Sequence, residues 1–108
     1  MELEKGTLKN LQEYIAFKIK ERGFDDESTQ EHLLLLAEEV GELINAYRKS
    51  SNMYVDRNRA SDSDVGGEVV DVLNFLFAVA IGLGLDVEKE FLKKEKVIDG
   101  RNYVRGAK

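Results

Sequence analysis

The chain has 108 residues, 43% of them hydrophobic and 34% charged, with no cysteine or proline. This composition predicts one soluble domain and excludes disulfides, thiolate metal sites and a cysteine nucleophile. A formal charge of −5 without a basic stripe argues against nucleic acid as a partner. The opening MELEKGTLKN lacks a signal peptide's apolar run, and no long uninterrupted apolar stretch follows, so we expect a cytoplasmic protein that does not enter a membrane.

Apolar residues recur every three or four positions through most of the chain, which predicts an all-α fold. The first helix is expected to follow Thr7 as its N-cap and to continue to about Arg22, before Gly23. Ser28 and Glu31 have the spacing of a capping box, which opens a second helix that should end near Lys49.

The second helix combines an apolar stripe with three carboxylates. Glu39 and Glu42 lie beside the stripe, whereas Glu38 points further toward solvent. The residues expected to face the core are Leu33, Leu36, Val40, Leu43 and Tyr47.

A polar segment over about residues 50–63 predicts a loop, and loops this long in small domains are often functional. A third helix is expected from about Asp64 to Ile81, and a fourth from the cap Asp86 to about Asp99. A basic tail, 100–108, follows. Four helices with short connections favour a bundle-like architecture.

The third helix is apolar almost all round, which is hard to bury in so small a monomer. A partner subunit could cover the extra surface. We therefore expect a homodimer or a homotetramer.

Acidic residues interrupt this apolar helix at Glu68 and Asp71, three positions apart and therefore on one face. Together with Glu39 and Glu42 they form two acidic pairs on consecutive helices. Ionised carboxylates gathered in an apolar setting repel one another unless a cation compensates them. Oxygen ligands without sulfur or imidazole suit Mg²⁺, with Mn²⁺ as a substitute, and Mg²⁺ commonly shares its coordination with substrate phosphates.

The two acidic segments, EEVGE at 38–42 and EVVD at 68–71, resemble the EExxE and ExxD motifs of the MazG-like, all-α nucleoside triphosphate pyrophosphohydrolases. The flanking LAEEVGELINA and GGEVVDVLNFLFAVAIGLGLD are similar to that family's second and third core helices, and the resemblance covers roughly residues 30–100. It implies a four-helix bundle-like fold completed by oligomerisation. It also implies Mg²⁺-dependent hydrolysis of a nucleoside triphosphate between the α and β phosphates, which yields the monophosphate and pyrophosphate.

The resemblance also implies roles for the acids: Glu39, Glu42, Glu68 and Asp71 would be metal ligands. Glu38 would be the catalytic, water-orienting group or an additional ligand.

Substrate contacts are expected from two further places. Asn74 continues the acidic face one turn beyond Asp71, so its amide could hydrogen-bond a base or a sugar. In the family a basic segment after the fourth helix often helps to bind phosphate, and the resemblance makes Lys93, Lys96, Arg101 and Arg105 the candidates here.

The same acidic residues are also compatible with other functions. A phosphoribosyl-ATP pyrophosphohydrolase would use the same four acids, and a non-catalytic oligomerising module could use them to hold a structural cation or a basic partner. A di-iron carboxylate bundle would need Glu-x-x-His motifs. The single histidine, His32, is not so placed and is interpreted as a structural or surface residue.

Overall fold

A computed structural model describes residues 1–56 and 64–106, and this part of the chain contains α-helices and no β-strand. The all-α, bundle-like fold is therefore confirmed, and the helix bounds lie within one or two residues of the expected ones. The helices are α1 (Thr7–Glu21), α2 (Thr29–Ser50), α3 (Val65–Gly82) and α4 (Val87–Asp99).

Three of the helices begin at side-chain caps: Ser28 and Asp86 are the predicted caps, and Asp64 is expected only as the approximate start of its helix. A side-chain oxygen at each N-cap accepts a hydrogen bond from the backbone N–H three residues later, a pattern encoded within one turn. The three hydrogen bonds are from Glu31 N to Ser28 Oγ (3.1 Å), from Gly67 N to Asp64 Oδ1 (2.9 Å) and from Lys89 N to Asp86 Oδ1 (3.1 Å).

Helix α1 begins differently, and the expected Thr7 cap is wrong. Gly6 is the N-cap, in a left-handed conformation with φ of 91°, and no local side chain caps it. The Glu88 carboxylate on α4 does so instead, because Oε1 accepts from Gly6 N at 2.9 Å, Leu8 N at 3.2 Å and Lys9 N at 3.4 Å. Only 8% of Glu88 is exposed. A carboxylate at a helix N-terminus also interacts favourably with the helix dipole.

Gln12 provides a second link between α1 and the segment that joins α3 to α4. Its Nε2 donates to the Leu85 carbonyl at 2.8 Å, and its Oε1 accepts from Val87 N at 2.9 Å. Both functional groups of one amide are thus used, on two backbone groups that α3 and α4 leave free. We call the Glu88 and Gln12 contacts together the α1–α4 clasp.

Helices α2 and α3 form the most extensive helix pair of the described chain. The start of α2 lies against the end of α3, where a Cβ at Gly82 would overlap the Thr29 side chain, so the two helices run antiparallel. Gly82 thus permits the close approach of the two helices. This pairing brings the middle of α2 beside the first turns of α3, where the acidic residues lie.

The buried face of α2 differs from the expected core stripe. Leu33, Val40 and Tyr47 are exposed and Leu36 and Leu43 only half-buried, so the expected stripe is wrong as the core of a single chain. His32 and Ala46 are the buried residues of α2. Ala46 is seven residues after Glu39 and so lies on the same face of α2, the face that meets the acids of α3, whereas the leucine stripe lies to one side of it.

The loop expected at about 50–63 and the tail at 100–108 are described only in part. Ser50 still belongs to α2, and residues 51–56 continue as a turn and irregular chain. The rest of the expected loop, 57–63, lies outside the described residues, as does the end of the tail, 107–108.

By length and composition alone, α3 could cross a membrane, although core helices of soluble proteins pass the same test; 17% of its residues are buried within the chain.

Candidate metal centre

Three carboxylates converge where α2 and α3 cross. Glu39 comes from α2, and Glu68 and Asp71 come from successive turns of α3. One oxygen of each lies within 4.8 Å of the other two. Glu68 and Asp71 share a face because they are three residues apart, and the antiparallel pairing brings Glu39 opposite them. We call these three residues the acidic cluster.

The acidic cluster contains a polar atom that the protein does not satisfy. Oε2 of Glu68 is buried and has no hydrogen-bond partner. Buried polar atoms are normally hydrogen-bonded, and one that is not requires an explanation. Glu39 is half-buried and Asp71 is exposed, so the cluster is open to solvent on the Asp71 side.

The surroundings of Glu39 in the acidic cluster disfavour the ionised form of its carboxyl group. Removal from solvent raises the pKa of the Glu39 carboxyl above its ordinary value, and the neighbouring carboxylates of Asp71, Glu68 and Glu42 raise it further. All of these effects disfavour the ionised carboxylate. A cation in the cluster would oppose these effects, because a nearby positive charge favours the ionised carboxylate.

The cluster fits a hard divalent cation. Its donors are all carboxylate oxygens, and ligands of one Mg²⁺ at about 2.1 Å lie about 3 to 4.2 Å apart in an octahedron. The separations in the cluster are compatible with this spacing after small rotations of the side chains. The unpartnered Glu68 oxygen would gain a ligand bond, and the open side leaves positions for water or substrate.

Two of the predicted acids lie outside the acidic cluster. Glu42 is exposed and is not among the converging oxygens, although its charge reaches Glu39. Glu38 is also exposed. The roles of Glu42 as a ligand and Glu38 as a catalytic group stay predictions, and the geometry groups neither with the other three.

A cavity of about 640 Å³ opens between α1, α2 and α3 beside the acidic cluster. Asp71 and the predicted Asn74 both line it, one turn apart on α3. Its other walls are mostly apolar and include Leu35 and Phe75. A volume of this size matches that of typical small-molecule sites. The apolar cavity and the amide of Asn74 therefore lie next to Asp71, a carboxylate that could hold a metal.

The basic residues at this cavity are Lys18 and Arg22 of α1, which the sequence analysis missed. They are four residues apart and so share one face of the helix, and this spacing is the sequence signal for the pair. Lys18 Nζ pairs with Glu21 at 2.9 Å, and this hydrogen bond and charge raise the pKa of Lys18.

The predicted basic residues lie elsewhere. Lys93 and Lys96 are exposed on α4, and α4 packs against α1. Arg101 Nη1 donates to the Tyr103 hydroxyl at 3.5 Å. None of the three lines the cavity that contains Asp71 and Asn74.

His32 is buried, with 7% of its surface exposed, as expected of a structural residue. Its ring lies 6.3 Å from that of Phe75, and Nε2 is 3.8 Å from a Glu27 oxygen. It lines the cavity rather than the acidic cluster.

In comparisons with known proteins, no family model and no curated protein matches the chain. Its fold and its acidic cluster are therefore the basis for any functional conclusion.

Proposed function

We propose that the chain is a Mg²⁺-dependent nucleoside triphosphate pyrophosphohydrolase that clears nucleotides from the pool. One observation carries the proposal: three carboxylates from two helices converge, one with an unpartnered buried oxygen, at the edge of a cavity large enough for a nucleoside. The reaction consumes one water and releases a monophosphate and pyrophosphate. The EExxE and ExxD patterns agree with this assignment.

The chain's own groups divide the work between the cluster and the cavity. Glu39, Glu68 and Asp71 would hold the metal. Bound Mg²⁺ supplies the positive charge that polarises a phosphoryl oxygen and neutralises the leaving pyrophosphate. The apolar cavity would take the base, and the amide of Asn74 would donate to or accept from it.

Phosphate contacts are proposed for the basic residues that reach this region. Lys18 and Arg22 line the cavity and are the nearest candidates of a single chain. Lys93, Lys96 and Arg101 contribute only if an assembly of chains brings them to another copy's cluster. A nucleotide and Mg²⁺ are thus the proposed substrate and cofactor, and Mn²⁺ is the expected substitute.

The test is a substrate panel. Purified protein is incubated with Mg²⁺ and canonical, deoxy- and damaged nucleoside triphosphates and with phosphoribosyl-ATP, and monophosphate and pyrophosphate are measured. Release of both products in equal amounts supports the proposal, and the preferred substrate separates nucleotide-pool activity from the phosphoribosyl-ATP reaction. No turnover of any compound would indicate a non-catalytic module.

A further inference from the structure

The cavity beside the acidic cluster contains a histidine whose ring nitrogens the protein leaves unsatisfied. His32 is 7% exposed and lines the cavity. A Glu27 oxygen lies 3.8 Å from Nε2, which is too long for a hydrogen bond, and within the described residues neither ring nitrogen has a hydrogen-bond partner. A buried histidine that only stabilised the fold would have its polar atoms paired. The imidazole is therefore available to a ligand in the cavity.

Glu27 also lines the cavity, on the turn that precedes α2. Its side chain is 26% exposed, and in the described part of the chain its one ion-pair partner within 4 Å is His32. An ionised carboxylate only accepts hydrogen bonds, and its two oxygens can accept from two neighbouring N–H groups. A nitrogen and an oxygen 3.8 Å apart are too distant to bond each other, but they are spaced to bond adjacent atoms on the edge of one ligand.

This polar pair lies as far from the acidic cluster as a nucleotide would reach. His32 and Glu39 are seven residues apart on α2, so they share a face of the helix and are separated by about 10 Å along its axis. That separation is about the length of a nucleoside. The ring of Phe75 lies 6.3 Å from that of His32 and offers an apolar surface to the plane of a base. A nucleotide with its phosphates at the cluster would bring the far edge of its base to His32 and Glu27.

We propose that His32 and Glu27 recognise the base of the substrate and select guanine, an inference that rests on the proposed function. The Watson–Crick edge of guanine has two adjacent N–H donors, at N1 and N2, beside the carbonyl oxygen O6. The two oxygens of Glu27 accept from N1–H and N2–H, and Nε2–H of His32 donates to O6. The neighbouring carboxylate favours a proton on Nε2, because the negative charge attracts it.

The other bases satisfy this pair less completely. Hypoxanthine has the same ring system as guanine but lacks the N2 amino group. Adenine, cytosine, uracil and thymine each present one N–H on the corresponding edge, so one oxygen of Glu27 stays without a donor. A site that hydrogen-bonds a donor of its substrate discriminates against an analogue without that donor, because a polar group of the site is then left unpaired.

The first test compares two triphosphates that differ by this amino group. We expect kcat/KM to be about 10-fold or more higher for GTP than for inosine triphosphate, since one hydrogen bond to a charged acceptor is lost. Glu27→Gln should remove the preference mainly by raising KM for GTP, because the lost contact is made equally in the ground and transition states. Asp26→Asn is the matched control, on an exposed residue of the same turn that does not line the cavity, and it should keep the preference.

The second test needs neither metal nor catalysis. The chain has a single histidine, so its imidazole gives one set of ring signals in NMR spectra. In the presence of EDTA, guanosine should shift the His32 ring signals, inosine should shift them less at the same concentration, and ribose should leave them unchanged. Glu27→Gln should weaken the response to guanosine, whereas Asp26→Asn should not.

The two tests separate this inference from the proposed function. Equal use of GTP and inosine triphosphate, or an undiminished preference in Glu27→Gln, would overturn the base assignment and leave the hydrolase standing. Guanosine without effect on the His32 signals would also overturn it. A chain that hydrolyses no triphosphate but gives the guanosine response would keep the guanine site and lose the proposed reaction.

Discussion

Two regions of the molecule contain buried carboxylate oxygens, and these oxygens differ in their hydrogen bonding. In the α1–α4 clasp, Glu88 is buried but accepts hydrogen bonds from three backbone N–H groups. In the acidic cluster, Glu68 has a buried oxygen without a partner, and Glu39 and Asp71 add like charge beside it. The first carboxylate caps a helix, whereas the second group leaves one buried oxygen without a hydrogen-bond partner. The two groups of acids therefore differ in the number of their hydrogen-bond partners rather than in burial alone.

The largest expected effect is a loss of activity when an acid of the acidic cluster is replaced. Glu39→Gln and Asp71→Asn should each lower kcat/KM by about 100-fold or more, because the loss of a metal ligand removes several kcal/mol of transition-state stabilisation. The rate of hydrolysis is measured as the release of pyrophosphate. Glu90→Gln, an exposed glutamate on α4 outside the cluster, is the matched control and should retain activity. Turnover unchanged in both cluster variants would sink the assignment of these ligands.

The next largest effect should be on stability, at the clasp. Glu88→Ala should lower the free energy of unfolding by about 2 kcal/mol, the upper range for the loss of a helix cap, since three N–H groups lose their acceptor. Glu88→Gln, which keeps one acceptor oxygen, should lower it less. Urea unfolding measures both, with Glu90→Gln as the control. If Glu88→Ala is as stable as the control, the clasp does not hold α1.

Metal binding should stabilise the cluster by a smaller amount. Mg²⁺ should raise the free energy of unfolding by about 1.4 kcal/mol at ten times its Kd, because the ion binds the folded chain and not the unfolded one. A thermal melt at increasing Mg²⁺ measures the rise. Glu88→Gln should retain the increment and Asp71→Asn should lose it. A melting temperature that stays flat across the titration contradicts the metal site.

The smallest effect should be a pH dependence. The pKa of Glu39 is raised in the folded state, first by burial and then by its acidic neighbours, so the folded chain binds more protons than the unfolded chain between the ordinary and the raised pKa. Stability without metal should therefore fall as pH rises through that window and stay lower above it. Glu39→Gln should flatten this part of the profile relative to Glu90→Gln. An unchanged slope would show that Glu39 is not strained.

Sequence patterns predicted the features that depend on near neighbours along the chain. The caps Ser28, Asp64 and Asp86 act within one turn, so their helices begin where expected. Glu68 and Asp71 share a face because of helical periodicity alone. The α1 cap could not be predicted in this way, because its acceptor, Glu88, is about 80 residues away.

Packing choices explain the remaining differences. Periodicity identified an apolar stripe on α2 but not what it packs against; in the single chain the buried residues of α2 are His32 and Ala46, and most of the stripe is exposed. The same rotation brings Glu39 to the acids of α3 and leaves Glu42 in solvent. Lys18 and Arg22 reach the cavity only because α1 is fastened across α3.

The sequence by itself determined the helices, their local caps and the presence of two acidic pairs, because these depend on interactions within a turn or two. Only the tertiary structure decided which acids meet, which carboxylate is satisfied by backbone and which face stays uncovered. Those outcomes depend on the register and rotation of helices that are far apart in the sequence. Helical periodicity determines neither the register nor the rotation.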